Sequence, residues 1–252
     1  MFNRIVFSMI LGLGLLTAGS VTSAATKTED DPNLIQKMVE HRLMKHDLLE
    51  NNQIQVVVTD HTITLNGNVL TLAYRKQAEK DAHVDEQYRV QDNLALKESS
   101  LSDKEITQKV DKVIYRNVFY SVFDWYTADV KDGLVTLKGW VHEPWRKEDV
   151  ENVVEKVVGV KKIKNEIENS FGPGSIGVKA ARLIYNDPMF WRYAGTYDPP
   201  VHIVVNNGVV YLEGFVTSQV EKSWAANLVE FYTDAARVIN DLRVVSPDKN
   251  AS

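Results

Sequence analysis

Lys161, Lys162 and Lys164 crowd into four positions, and Trp145-Arg146-Lys147 stands a short way before them. Among the residues that could do chemistry in this chain, these make the one basic and aromatic grouping. Such a set suits an anionic lipid surface. Each cation near a charged bilayer is worth about 1 kcal/mol, and aromatic rings favour the headgroup boundary. Other constellations are weaker. Gly172-Pro173-Gly174-Ser175-Ile176-Gly177 spells GxGxxG, yet it precedes a hairpin pattern rather than a parallel crossover, so it reads as a linker and helix cap. His41, His46, His61 and His83 gather in the first third, but His41 and His46 are five apart and do not share a helix face as a metal pair would. There is no cysteine, no nucleophile elbow, and no carboxylate pair marked for acid–base work. The chain therefore reads as non-enzymatic, with no cofactor and no metal.

The elements that must carry these residues come as a repeat. Thr62-Ile63-Thr64-Leu65-Asn66-Gly67-Asn68-Val69 returns as Leu134-Val135-Thr136-Leu137-Lys138-Gly139-Trp140-Val141. It returns again as Val209-Val210-Tyr211-Leu212-Glu213-Gly214-Phe215-Val216. A tight turn precedes each copy: Asp60-His61, Asp132-Gly133 and Asn207-Gly208. A second landmark follows, centred on Asp92, Asn165 and Asn240, at 25, 26 and 26 residues after its glycine. Fixed offsets of this kind mark tandem copies of one unit.

Each unit opens on a helix signal: Asp31-Pro32, the capping box Ser102–Glu105, and Ser175. Leu34, Met38 and Arg42, and Ile106, Val110, Val113 and Ile114, recur at helical spacing. A hairpin follows, its turn rich in residues that tolerate positive φ. A second helix carries Val150, Val153, Val154 and Val157 in copy two, and Ala225, Leu228, Val229 and Tyr232 in copy three. A last strand completes a helix–strand–strand–helix–strand unit. The predicted fold class is α+β: three tandem αββαβ repeats, each a small mixed sheet with two helices on one face. The boundaries are a signal peptide at 1–25, a linker at 26–32, repeats at 33–100, 102–170 and 175–246, and a tail at 247–252.

Arg4, the apolar run Ile5–Leu16 and Ser23-Ala24-Ala25 predict export, with cleavage near Ala24 or Ala25. Without cysteine that signal cannot be a lipoprotein signal, and no later run is long enough to span a bilayer. The net charge of −5 is spread along the chain, so nucleic acid is not an expected partner. Units of roughly 70 residues bury a small share of their surface, so the copies are expected to lean on one another.

Aromatic residues concentrate in two places: Phe119, Tyr120, Phe123, Trp125 and Tyr126, and Phe190, Trp191, Tyr193 and Tyr197. Both sets fall where the first helix connects to the first strand. Trp140 and Phe215 lie on the sheet face away from the helices, and by alternation Lys162 and Lys164 share that face with Trp140. These rings either pack copies two and three together or meet a lipid surface or partner. The candidate contact residues are Trp125, Tyr126, Trp140, Trp145, Lys161, Lys162 and Lys164, and Gly67, Gly139 and Gly214 are structural.

The unit resembles the BON domain, named for bacterial osmotically inducible protein Y and nodulation. The resemblance rests on a glycine inside an alternating strand after a turn, then a helix, then a strand such as Gly159-Val160-Lys161-Lys162-Ile163-Lys164-Asn165-Glu166-Ile167. Copy one departs most, with Gln87-Tyr88 in place of Gly-Val. The resemblance implies a periplasmic envelope protein of osmotic-stress type that binds and does not catalyse. Implied partners are phospholipid membrane surfaces or, for a holdase-type chaperone, unfolded envelope proteins.

Overall fold

The computed structural model describes residues 31–50, 52–117, 120–170, 172–196 and 199–245. The expected signal peptide at 1–25, the tail at 247–252, Phe119 and Tyr197 lie outside the described residues. Copy one comprises α1 (Pro32–Lys45), β1 (Gln53–Thr59), β2 (Thr62–Val69), α2 (Leu72–Ala82) and β3 (Arg89–Leu96). Copy two comprises α3 (Asp103–Tyr115), β4 (Trp125–Lys131), β5 (Leu134–Val141), α4 (Trp145–Val154) and β6 (Lys162–Asn169). Copy three comprises α5 (Gly174–Tyr185), β7 (Val201–Asn206), β8 (Val209–Val216), α6 (Gln219–Tyr232) and a last strand in two pieces, β9 (Arg237–Asn240) and β10 (Arg243–Val244). Both pieces pair with β8 in one register, Val209 with Arg237 and Phe215 with Arg243.

Each copy is its own small sheet. The middle strand runs antiparallel to the first and parallel to the third. Strand alternation sends one set of side chains under the helices. Ile63, Leu65 and Val69 do this in copy one, Val135, Leu137 and Val141 in copy two, and Val210, Leu212 and Val216 in copy three. Each hairpin turn places both central residues at positive φ, including Asp60 and His61, which lack a glycine.

The repeat glycines have a backbone cause. Gly67, Gly139 and Gly214 sit at φ +127°, +126° and +103°, facing Ile54, Tyr126 and Val201 across the sheet. A Cβ there would overlap the carbonyl oxygen of Gln53, Trp125 or Pro200. The close neighbour is the adjoining strand and not the covering helix.

The second landmark is a staple. Asn165 Nδ2 donates to the Lys147 carbonyl at 2.9 Å and Asn240 Nδ2 to the Lys222 carbonyl at 2.7 Å, tying the last strand to the second helix. Asp92 has no donor to offer. It accepts instead from Arg75 Nε at 2.7 Å, and Arg75 lies eight residues after its repeat glycine, as Lys147 and Lys222 do after theirs. In all three copies the Oδ1 atom also accepts from the amide two residues on, at Leu94, Ile167 or Leu242.

Three local expectations need correction. The buried stripe of α1 is Ile35, Val39 and Leu43, while Leu34 and Met38 face solvent. Ser175 lies inside α5, whose first turn follows Pro173 without a side-chain cap. Tyr232 is exposed, so α6 is held by Ala225, Leu228 and Val229. The capping box of Ser102 and Glu105 is present in full.

Neighbouring copies do lean on one another. Ala73 N donates to the Glu155 carbonyl at 3.1 Å, and Lys76 Nζ pairs with the buried Glu155 carboxylate. This joins α2 of copy one to the end of α4 in copy two.

Candidate functional site

Trp125 and Tyr126 are not loop residues. They open β4, and both are buried, Trp125 at 6% exposure. Tyr126 points under the helices with Ile106, Val110 and Ile114. Trp125 points the other way, onto the sheet of copy three. Its ring lies 5.1 Å from that of His202 and 5.8 Å from that of Phe215, and Trp140 stacks on Tyr211 at 5.7 Å. Around Trp125 and Trp140 the helix-free face of copy two therefore packs on that of copy three, as the packing reading requires, while Lys138, Lys162 and Lys164 on the same face stay exposed. Ile203 N donates to the Val122 carbonyl at 2.8 Å across the seam.

A buried polar set pins the connecting segment. Asp124 is fully buried. Its Oδ1 accepts from His142 N at 2.9 Å and lies 2.8 Å from His142 Nδ1; its Oδ2 accepts from Arg146 and from Ser121 N at 3.1 Å. Burial alone would raise its pKa, but the His142 hydrogen bonds and the Arg146 charge outweigh burial and hold the carboxyl below the usual range. His202 is 2% exposed, with Nδ1 3.2 Å from the Ser121 carbonyl and Nε2 3.3 Å from Tyr120 Oη. Burial pushes its pKa down to about 4, against the hydrogen bond to Ser121 and the charge of Asp124.

Glu213 faces His202 across the strand pair. Burial, helped by Asp241 and opposed by Arg243, pushes its pKa up to about 7. The two groups act oppositely on stability. His202 contributes stability that is present above pH 6.5 and is lost as pH falls toward 4. Glu213 favours acid: its contribution is complete below pH 4.5 and is lost as pH rises through 7. Removing one should unmask the other. Glu213→Gln is expected to make copy three lose up to about 3 kcal/mol between pH 7 and pH 4, from a shift of roughly 2.5 pKa units at a His202 that stays buried. The native chain should change far less over that range. Denaturant melts at stepped pH measure both; equal slopes for the two proteins would contradict this balance.

The basic group does not converge with the aromatic one. Lys162 and Lys164 share the outer sheet face with Trp140, as expected, opposite Leu134 and Thr136. Val141, the residue that leads toward Trp145, lies seven residues further along β5, about 23 Å at about 3.3 Å per residue. Lys164 Nζ pairs with Glu166 at 2.5 Å, and Lys138 Nζ lies 3.9 Å from Asp129. Arg146 is committed to Asp124, and its guanidinium lies 5.3 Å from the centre of the exposed Trp145 ring.

A different surface stands out on copy three. Phe231 is 74% exposed, Val220 64%, Trp191 63% and Tyr232 57%, with Met189 and Trp224 also open. Val220, Trp224, Asn227 and Phe231 recur at intervals of four, three and four, which lines one side of α6. Trp224 Nε1 donates to Asp187 at 3.0 Å, so its ring stands between two grooves. One, of about 540 Å³, has Lys179, Arg182 and Tyr232 in its wall; the other, of about 340 Å³, has Met189 and Val220. The longer α5–β7 connection supplies Met189 and Trp191. The sequence signal was a helix apolar on two sides, and the inward stripe hid the outward one.

The remaining motifs are structural. Gly177 of the GxGxxG run packs close to Pro173 and Val205, and β6 and β7 belong to different sheets, so no parallel crossover exists there. His46 Nδ1 lies 2.8 Å from the buried Asp81, and His61 rests against Tyr88.

Residues 30–98, 102–169 and 195–246 match the BON domain family. The chain belongs to the BON-domain family and carries three copies of the domain. No curated protein matches it. Among solved structures it is similar to the C-terminal domain of CdsD, a structural protein of the type III secretion system of Chlamydia trachomatis. The identity is 12%, over 86% of this chain and 99% of that one, with a TM-score of 0.26. It is also similar to the PrgH periplasmic domain, at 10% identity over 80% of this chain and 100% of that one, with a TM-score of 0.21. Likeness at this level bears on neither mechanism nor partner.

Proposed function

We propose that this BON-family chain is a non-enzymatic, periplasmic cell-envelope protein of osmotic-stress type that binds phospholipid membrane surfaces. The outer side of α6 is its principal contact. The observation that carries the reading is the placement of exposed aromatics: of Trp145, Trp191, Trp224, Phe231 and Tyr232, all but the first belong to copy three. A helix with an apolar face beside basic residues lies in a bilayer interface. Lys179 and Arg182 stand in the wall of the groove beside Trp224, together with Asp187, whose carboxylate accepts from the Trp224 indole. These two exposed cations sit in a protein of net charge −5. Among the described residues no helix is long and apolar enough to cross a membrane, which fits attachment to one surface. Lys161 and Lys162, both exposed in copy two, add a second basic patch for anionic headgroups. The periplasmic and osmotic-stress assignment rests on the family and on the export signal.

Flotation of the mature chain with vesicles tests this. The chain should float with phosphatidylglycerol-containing vesicles, float less as salt screens the basic groups, and stay down with phosphatidylcholine alone. Failure to float with either vesicle would contradict the reading.

The grooves beside Trp224 favour a second reading, a holdase that accepts apolar side chains of unfolded envelope proteins. It predicts suppressed aggregation of a denatured client without vesicle binding.

A further inference from the structure

The helix-free face of copy one is open to solvent, whereas those of copies two and three meet around Trp125, Trp140, Tyr211 and Phe215. Its outward positions are 53, 55, 57 and 59 on β1, 62, 64, 66 and 68 on β2, and 89, 91, 93 and 95 on β3. Nine of these twelve are Asn, Gln or Thr, and Arg89 is the one charge. The β1 and β3 members are exposed, and those of the central strand are half-buried. The register sets them in rows, among them Gln55–Asn66–Asn93 and Val57–Thr64–Gln91. The grid measures about 20 Å along the strands and about 10 Å across them.

This composition is not a requirement of the fold. The corresponding twelve positions of copy two hold seven charges, including Lys138, Lys162, Lys164 and Glu166. Within the grid, Asn93 Nδ2 donates to Asn66 Oδ1 at 3.0 Å and Gln91 Nε2 to Asn93 Oδ1 at 3.4 Å. The first bond ties β3 to β2, and the second runs along β3. Among the described residues, no protein group takes up the amides of Gln53, Gln55 or Asn68. Amide and hydroxyl groups each present donors and acceptors together. A lattice of them without charge complements a ligand that is itself neutral, extended and rich in hydroxyl and amide groups.

We infer that the outer sheet face of copy one is a binding surface for an uncharged, hydroxyl- and acetamido-bearing polysaccharide. This surface is separate from the α6 lipid contact and does not depend on it. Each hydrogen bond to such a ligand contributes modestly against water. Binding therefore gains from a polymer that repeats the pattern along its length.

The probe is insoluble chitin, a neutral polymer of N-acetylglucosamine, mixed with the mature full-length chain and sedimented. The chain should go down with chitin, stay bound in high salt because no ion pairs are involved, and be released by soluble chitin oligosaccharides. Gln55→Glu with Gln91→Glu, both at exposed positions, should weaken binding about tenfold. Its thermal melt and its vesicle binding should be those of the native chain. Native protein left in the supernatant would overturn the inference. So would a double variant that sediments like the native chain. Amide ladders also zip identical sheets together. A native dimer that the double variant dissolves, with no chitin binding, would assign the face to self-association and overturn the proposal as well.

Discussion

Trp125→Ala should cost about 3–5 kcal/mol of stability, the range for truncating a large ring in a closed core. The indole fills the seam between copies two and three against His202 and Phe215. Alanine leaves a cavity there, next to a histidine whose only comfortable state is neutral. The same seam holds the Val122–Ile203 backbone bond, so loosening one copy loosens the other. Guanidinium unfolding of native and variant chains measures this. A loss under about 1 kcal/mol would mean that the ring is free at the surface, as a lipid-contact role for Trp125 requires.

Gly139→Ala should be at least as costly, about 3 kcal/mol or more, because two penalties combine. The backbone sits at φ +126°, where a side chain is strained by about 1–3 kcal/mol. The new methyl would also strike the Trp125 carbonyl oxygen, which belongs to backbone and cannot swing aside. Gly172→Ala is the control: its φ is +79° but nothing lies within 4 Å, so only the conformational cost of about 1 kcal/mol applies. Equal effects at the two positions would show that the repeat glycine answers to local conformation alone.

Much of the fold was legible because each unit repeats its own punctuation. Two-residue turns, a strand glycine and an Asx landmark at constant offset define three αββαβ units without reference to packing. What the landmark does was not legible. The Asn165 and Asn240 staples reach a helix carbonyl eighteen residues away, and Asp92 replaces that bond with Arg75. The stripe of α1 slipped by one residue because Leu34-Ile35 and Met38-Val39 offer two apolar faces, and only tertiary packing chooses between them. In the sequence Trp125 and Tyr126 read as part of the helix-to-strand connection, because aromatic crowding looks alike on either side of a strand boundary. The alternation of β4 separates them: Tyr126 goes to the core of copy two and Trp125 to the seam. Among the candidate contacts, Trp140 joins that seam, while Trp145 and Lys161, Lys162 and Lys164 stay outside it at opposite ends of the unit. The α6 surface was missed for the same reason as the α1 stripe, since a helix apolar on two sides reveals its outward face only once the inward one is packed.

The most direct test is vesicle flotation of three chains: native, Val220→Asp with Phe231→Asp, and Lys161→Glu with Lys162→Glu. All four altered positions are solvent-exposed, so the variants should melt like the native chain. With anionic vesicles the α6 variant should lose most of its binding, because a charge at each position opposes burial of that side in the interface. The lysine variant should bind more weakly, and the difference should fade in salt. A native chain that floats, together with an α6 variant that floats equally well, would contradict the assignment of the membrane contact to copy three.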